Sequence, residues 1–224
     1  MSGIRELLPP GLLRHHRAPA NRDRGAWYSV RNQAAGDDDR AIVDLYDVIG
    51  EWGVSAQEFV RDLREIDASV IELHINSPGG LIHDGLTIYN GLRDHPARVE
   101  AIVDGIAASA ASWILQAGEI RTMNRHTELM IHDGLAFTIG NEQDHLDTAA
   151  LLGRLSENIA SIYAERAGGT VEDWRAAMRT ETWYTADEAV DVGLADDVIT
   201  DDDGASNHST RAELVTHRAR VFAT

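Results

Sequence analysis

One hydroxyl in this chain stands where an apolar strand pattern gives way to an apolar helical one. Residues 99–103 form a short run, rich in β-branched residues, that reads as a buried strand, and Ala110, Ala111, Trp113, Ile114 and Leu115 read as a helix. Gly105, Ala107 and Ala108 lack bulk, which predicts a sharp turn and room for a substrate to approach the backbone. A serine at such a junction lies beside the unpaired N–H groups of a helix start, a place that favours an anionic oxygen. Ser109 is therefore the candidate nucleophile. The same residues also suit a packing turn in which Ser109 merely caps the helix.

Two more side chains could complete a proton path. His132 ends the apolar run 127–132, one expected hairpin beyond Ser109, and is the candidate base among ten histidines. A histidine there can equally be a structural, hydrogen-bonded residue. Glu181 precedes a capping box formed by Thr185 and Glu188. As a third group it would orient His132 and stabilise the imidazolium; otherwise it is a solvated surface carboxylate. The turn Asn76-Ser77-Pro78-Gly79-Gly80 is either an ordinary turn or one that turns a backbone N–H toward a developing oxyanion, an interaction worth roughly 3 kcal/mol in the transition state. It holds no lysine and neither glycine spacing of the nucleotide motifs, so a phosphate cradle is not expected.

These groups need a scaffold, and the chain alternates strand and helix patterns. Strands are expected at 26–31, 41–46, 70–75, 99–103, 119–123 and 127–132, with a Gly/Asp turn at 36–39 and a hairpin turn at 124–126. Ser55 followed by Phe59, Leu63 and Ile66 predicts a capped helix, and Leu86, Ile88, Tyr89 and Leu92 predict another that stops before Pro96. Such alternation predicts an α/β fold with parallel strands. After a short apolar segment at 135–140, residues 141–166 carry the longest helical stripe, which includes Leu146, Leu152, Leu155, Ile159 and Tyr163. A helix of about 25 residues extends roughly 37 Å, long enough to project toward another subunit or to serve as a core helix. A short helix follows at 171–178.

Composition narrows the functions. At 224 residues and 43% hydrophobic content, one domain is expected over 26–199. A flexible basic arm with five arginines precedes it over 1–25, and a disordered tail follows over 200–224. A net charge of -17 argues against nucleic-acid binding. The absence of cysteine excludes thiol nucleophiles, disulfides and Cys-ligated metals. No metal or organic cofactor is implied, since no histidine pair has ligand spacing. No apolar run reaches membrane-spanning length, so a soluble protein of the cytoplasm is expected.

With Ile75 to Gly80, Gly105 to Ala110, Met130 to His132, and Glu181 to Ala186 through Glu188-Ala189 and Gly193 to Asp196 in order, the chain resembles the ClpP-like serine peptidases. Trp27-Tyr28 and residues 49–54 look like the branch of phage head maturation (prohead) proteases. The resemblance covers roughly residues 26–199. It implies the ClpP/crotonase-like fold of stacked β-β-α units, with 141–166 as a projecting handle helix that joins a ring-shaped homo-oligomer. It makes Ser109 the nucleophile, His132 the general base, and the N–H groups of Gly80 and Ala110 the oxyanion hole. The family's acidic residue is usually Asp; here the matching position is Glu181, with Asp187 as a weaker substitute. Asp133-Gly134 also departs from the family's usual polar residue and proline. The implied activity is ATP-independent endoproteolysis of capsid or scaffold protein in the host cytoplasm. The alternatives are a Clp-type proteolytic subunit fed by an unfoldase and an inactive assembly protein of the same fold. A crotonase shares the fold but would need neither Ser109 nor His132.

Overall fold

A computed structural model describes residues 28–33, 39–50 and 55–200. The basic arm, the 36–38 part of the expected turn, Trp27 and the tail beyond 200 lie outside the described residues. Strand alternation sets the layers. In β2 (Arg40–Tyr46) Ala41, Val43 and Leu45 are fully buried on one face, and in β3 (Val70–Ser77) Ile71, Leu73 and Ile75 continue that face. β4 (Arg98–Ala108) adds Val99, Ala101 and Val103. Against this apolar face pack α1 (Ala56–Arg64), α2 (Ile82–Arg93) and α3 (Ala110–Leu115), through Phe59, Leu63, Ile88, Leu92, Trp113 and Ile114.

β1 (Tyr28–Gln33) joins β2 antiparallel, and β2, β3, β4, β5 (Ile120–Asn124) and β8 (Asp197–Ile199) run parallel in that order. β6 (Glu128–Ile131) and β7 (Thr182–Thr185) form a second tier, with β6 parallel to β4 and antiparallel to β7. The remaining helices are α4 (Glu142–Ala167), α5 (Val171–Arg179) and α6 (Ala186–Asp191). This is the mixed α/β fold that the resemblance implies.

Two local expectations are corrected, and a third feature, which the sequence leaves open, is divided between its two readings. β5 and β6 are not a hairpin: both pair with β4, β5 along Glu100–Val103 and β6 along Ile106–Ala108. β4 is accordingly twice as long as expected. Gly105, Ala107 and Ala108 do not turn; residues 105–108 stay extended because β6 supplies ladder partners, and the bend is confined to Ser109. Finally, the apolar stripe of α4 is core only in its C-terminal half, where Ile159, Ile162 and Tyr163 are buried. Leu146 and Leu151 in its first half are exposed, as are Leu135, Phe137 and Ile139 before it. Asn141 fixes the start of this helix with a capping box, so the exposed half is a formed helix that leaves apolar surface uncovered. No helix among the described residues is long and apolar enough to cross a membrane.

Candidate active site

Ser109 sits at the end of the central strand with φ 51° and ψ −120°, a conformation that costs a non-glycine residue about 1–3 kcal/mol. The surroundings hold it there. Its N–H donates to the Met130 carbonyl at 2.9 Å, and its carbonyl accepts from the Ser112 N–H at 2.9 Å and the Ser112 hydroxyl at 2.5 Å. Ser112 is in turn 2.7 Å from the hydroxyl of Tyr163, buried in α4. Although Ser109 occupies the N-cap position of α3, its side chain makes no capping bond. The hydroxyl instead lies 2.7 Å from Nε2 of His132.

His132 follows directly on β6, the strand paired with β4 just below Ser109. Burial holds its pKa below the usual 6.5, and the negative charges of Glu181 and then Asp133 oppose that shift only in part. A neutral imidazole can accept the serine proton at Nε2 when its own proton is on Nδ1. Ser109 and His132, 23 residues apart in sequence, are thus brought together.

Glu181 lies between α5 and β7 with φ 48°, and its N–H donates to the Met178 carbonyl at 3.1 Å. It acts on His132 through its charge, while its Oε1 accepts a hydrogen bond from the Trp183 indole at 3.3 Å. Asp187 is in the first turn of α6 and is not among the charges acting on His132. Asp133, known from sequence only as a departure from the family pattern, is a second acidic neighbour of His132; its carboxylate is engaged by Arg175.

The glycine turn crosses directly above the serine. A Cβ on Gly79 would lie 2.7 Å from the Ala110 nitrogen and from the Ser109 Cβ, and φ is +94° there, so only glycine fits. The Gly79 N–H donates to the Ser77 hydroxyl at 3.1 Å. Gly80 pairs with Ile49 through the flanking groups, Ile49 N–H to Gly79 carbonyl at 2.8 Å and Leu81 N–H to Ile49 carbonyl at 3.0 Å. Among the described residues the N–H of Gly80 has no hydrogen-bond acceptor. Ala110, first residue of α3, has no intrahelical acceptor for its own N–H. Sequence reading missed Ser112 and Tyr163 as supports of the serine; the signal for Ser112 was its place one helical turn after Ser109.

A serine hydroxyl bonded to a neutral imidazole, with free backbone donors nearby, defines a serine hydrolase built for acyl transfer. The matching family model, described as Clp protease, spans residues 43–202, and the chain belongs to the Clp protease family. It is similar to the ATP-dependent Clp protease proteolytic subunit of Chlorokybus atmophyticus, with 32% identity over 159 residues, 70% of each chain. The subunit of the same name from Bacteroides fragilis is 34% identical over 131 residues, 58% of this chain and 63% of that one. Proteolytic subunit 2 of Corynebacterium glutamicum is 32% identical over 149 residues, 66% and 70%. The protein is a serine peptidase.

Proposed function

We propose that Ser109 attacks the scissile carbonyl while His132 takes its proton at Nε2 and later delivers it to the leaving amine. The observation that carries this reading is the 2.7 Å contact between Ser109 Oγ and a His132 whose burial keeps it neutral. The tetrahedral oxyanion is received by the N–H groups of Gly80 and Ala110, each worth about 3 kcal/mol when aimed at the developing charge. Glu181 stabilises the imidazolium by its charge, and in the substrate complex its carboxylate exchanges the Trp183 indole for Nδ1 of His132. Water then repeats the attack on the acyl-enzyme with the same two groups.

The reading extends to an ATP-independent endopeptidase that processes capsid or scaffold protein during phage head maturation in the host cytoplasm. It acts as a ring-shaped homo-oligomer joined through the 141–166 helix. Its support is the likeness of Trp27-Tyr28 and residues 49–54 to the prohead branch, together with the uncovered leucines of the first half of α4. A second reading, a proteolytic subunit that works with an unfoldase, is favoured by the names of the relatives, which are ATP-dependent Clp protease subunits. Incubating the protein with a folded capsid precursor and no nucleotide separates the two. Discrete cleavage supports the maturation reading; cleavage only with ATP and an added unfoldase supports the other.

A further inference from the structure

The face of the sheet opposite α1–α3 carries a polar cluster around Asp104, which precedes Ser109 along the same stretch of chain. Nδ1 of His74, on β3, is 2.8 Å from an Asp104 carboxylate oxygen on β4, and Nε2 is 3.0 Å from Glu72. Asp104 also accepts from the Tyr46 hydroxyl of β2 at 2.5 Å and from the Asn124 amide of β5 at 3.0 Å. One carboxylate therefore ties four adjacent strands. The hydrogen bonds to Asp104 and then Glu72 push the His74 pKa up to about 10 against the effect of burial, so the ring is a cation at neutral pH.

Asp104 occupies the point where β4 changes partner on one side and register on the other. Toward β5, pairing ends at Val103 and the strand goes on to pair with β6 from Ile106. Toward β3, the register shifts: Ile75 opposes Val103, but Ser77 opposes Ala107, so β4 carries extra residues at 104–106. An irregularity of this kind re-aims the side chains beyond it. Beyond it come Ser109, directly after β4, and the Gly79-Gly80 turn that follows β3. We infer that His74 is a positioning residue: by holding Asp104 at the partner switch, it fixes where β4 presents Ser109 relative to the glycine turn. The inference rests on Ser109 being the nucleophile.

The test is the kinetics of fluorophosphonate labelling of the full chain, resolved into a limiting rate and a half-saturating probe concentration. His74→Gln and Asp104→Asn are each expected to lower the limiting rate about tenfold with half-saturation unchanged, because misplacing a reacting atom by a fraction of an ångström slows the step without removing binding contacts. The double variant is expected to be no slower than the slower single one, since both break one unit. Tyr46→Phe removes the hydroxyl that donates to Asp104, at a half-exposed side chain, and about a twofold loss is expected there even if the other variants fail to fold. Native limiting rates in these variants, with only the melting temperature lowered, would overturn the inference and reduce the cluster to a structural one. Multiplying effects in the double variant would also overturn it. A wild type that does not label would sink the nucleophile assignment, and the inference with it.

Discussion

Two non-glycine residues of the site have backbones on the left-handed side of conformational space, Ser109 at φ 51° and Glu181 at φ 48°. Their surroundings differ. Ser109 ends an 11-residue central strand, its neighbours Ala108 and Ala110 are at most 2% exposed, and both of its peptide groups are hydrogen-bonded. Glu181 sits in an exposed link before a four-residue edge strand, held by one backbone bond and a side-chain bond to an exposed tryptophan. Strain at Ser109 is over-determined by packing, whereas strain at Glu181 is lightly held. On the roles proposed above, the difference teaches that a nucleophile at Ser109 is preorganised, while an acidic partner at Glu181 is left free to adjust.

The comparison can be broken most severely at the serine. Ser109→Ala is expected to lower kcat by at least about 10,000-fold in a peptide hydrolysis assay, with the fold intact by circular dichroism. Next comes Gly79→Ala, whose methyl group meets the Ala110 nitrogen and whose φ is unfavourable. A loss of about 100-fold in kcat, with a lowered melting temperature, is expected from displacement of the glycine turn. Ser112→Ala removes the hydroxyl that joins the Ser109 carbonyl to the buried Tyr163, and calorimetry or denaturant melts are expected to register about 1–3 kcal/mol of lost stability. At Glu181 the effect is smaller. Glu181→Gln is expected to lower kcat about tenfold and to leave stability within about 0.5 kcal/mol, because the carboxylate is lightly held. If Glu181→Gln instead unfolded the protein, the contrast between the two sites would fail.

The pH profile sharpens the same contrast. Burial lowers the folded pKa of His132 below its unfolded value, so the protonated, inactive imidazolium forms only as pH falls beneath 6.5. Activity is expected to hold down to that pH and to decline below it. By the same linkage the buried neutral ring loses stability to the unfolded state as pH falls through 6.5 toward the folded value. In Glu181→Gln, which removes the larger of the two opposing charges, the acid limb should move to still lower pH. An unmoved limb would take Glu181 out of the electrostatics of the histidine.

Much of this was legible in the sequence because it is local. The cap at Ser55, the capping box at Thr185, the strand runs that became β2 and β3, and the serine between strand and helix are patterns within a few residues. Partner choice was not local. Nothing within 119–132 says that β5 and β6 each pair with a different half of β4, and a turn at 124–126 looked like a hairpin. Gly105, Ala107 and Ala108 resembled a turn because the strand that keeps them extended, β6, comes only after β5 in the chain. The supports of Ser109 escaped for a similar reason: Tyr163 is 51 residues from Ser112, and its period marked it only as part of an apolar stripe. His74 read as an ordinary strand residue and Asp104 as the residue just past a strand, because their meaning depends on sharing one face across four strands.

The most direct test of the Ser109 assignment is the intact mass of the wild-type protein and of Ser109→Ala, each incubated with a fluorophosphonate. A single adduct on the wild type and none on Ser109→Ala is the expected result, with Ser112→Ala still labelled if it folds. An adduct that persists in Ser109→Ala would contradict the assignment and place the reactive hydroxyl elsewhere.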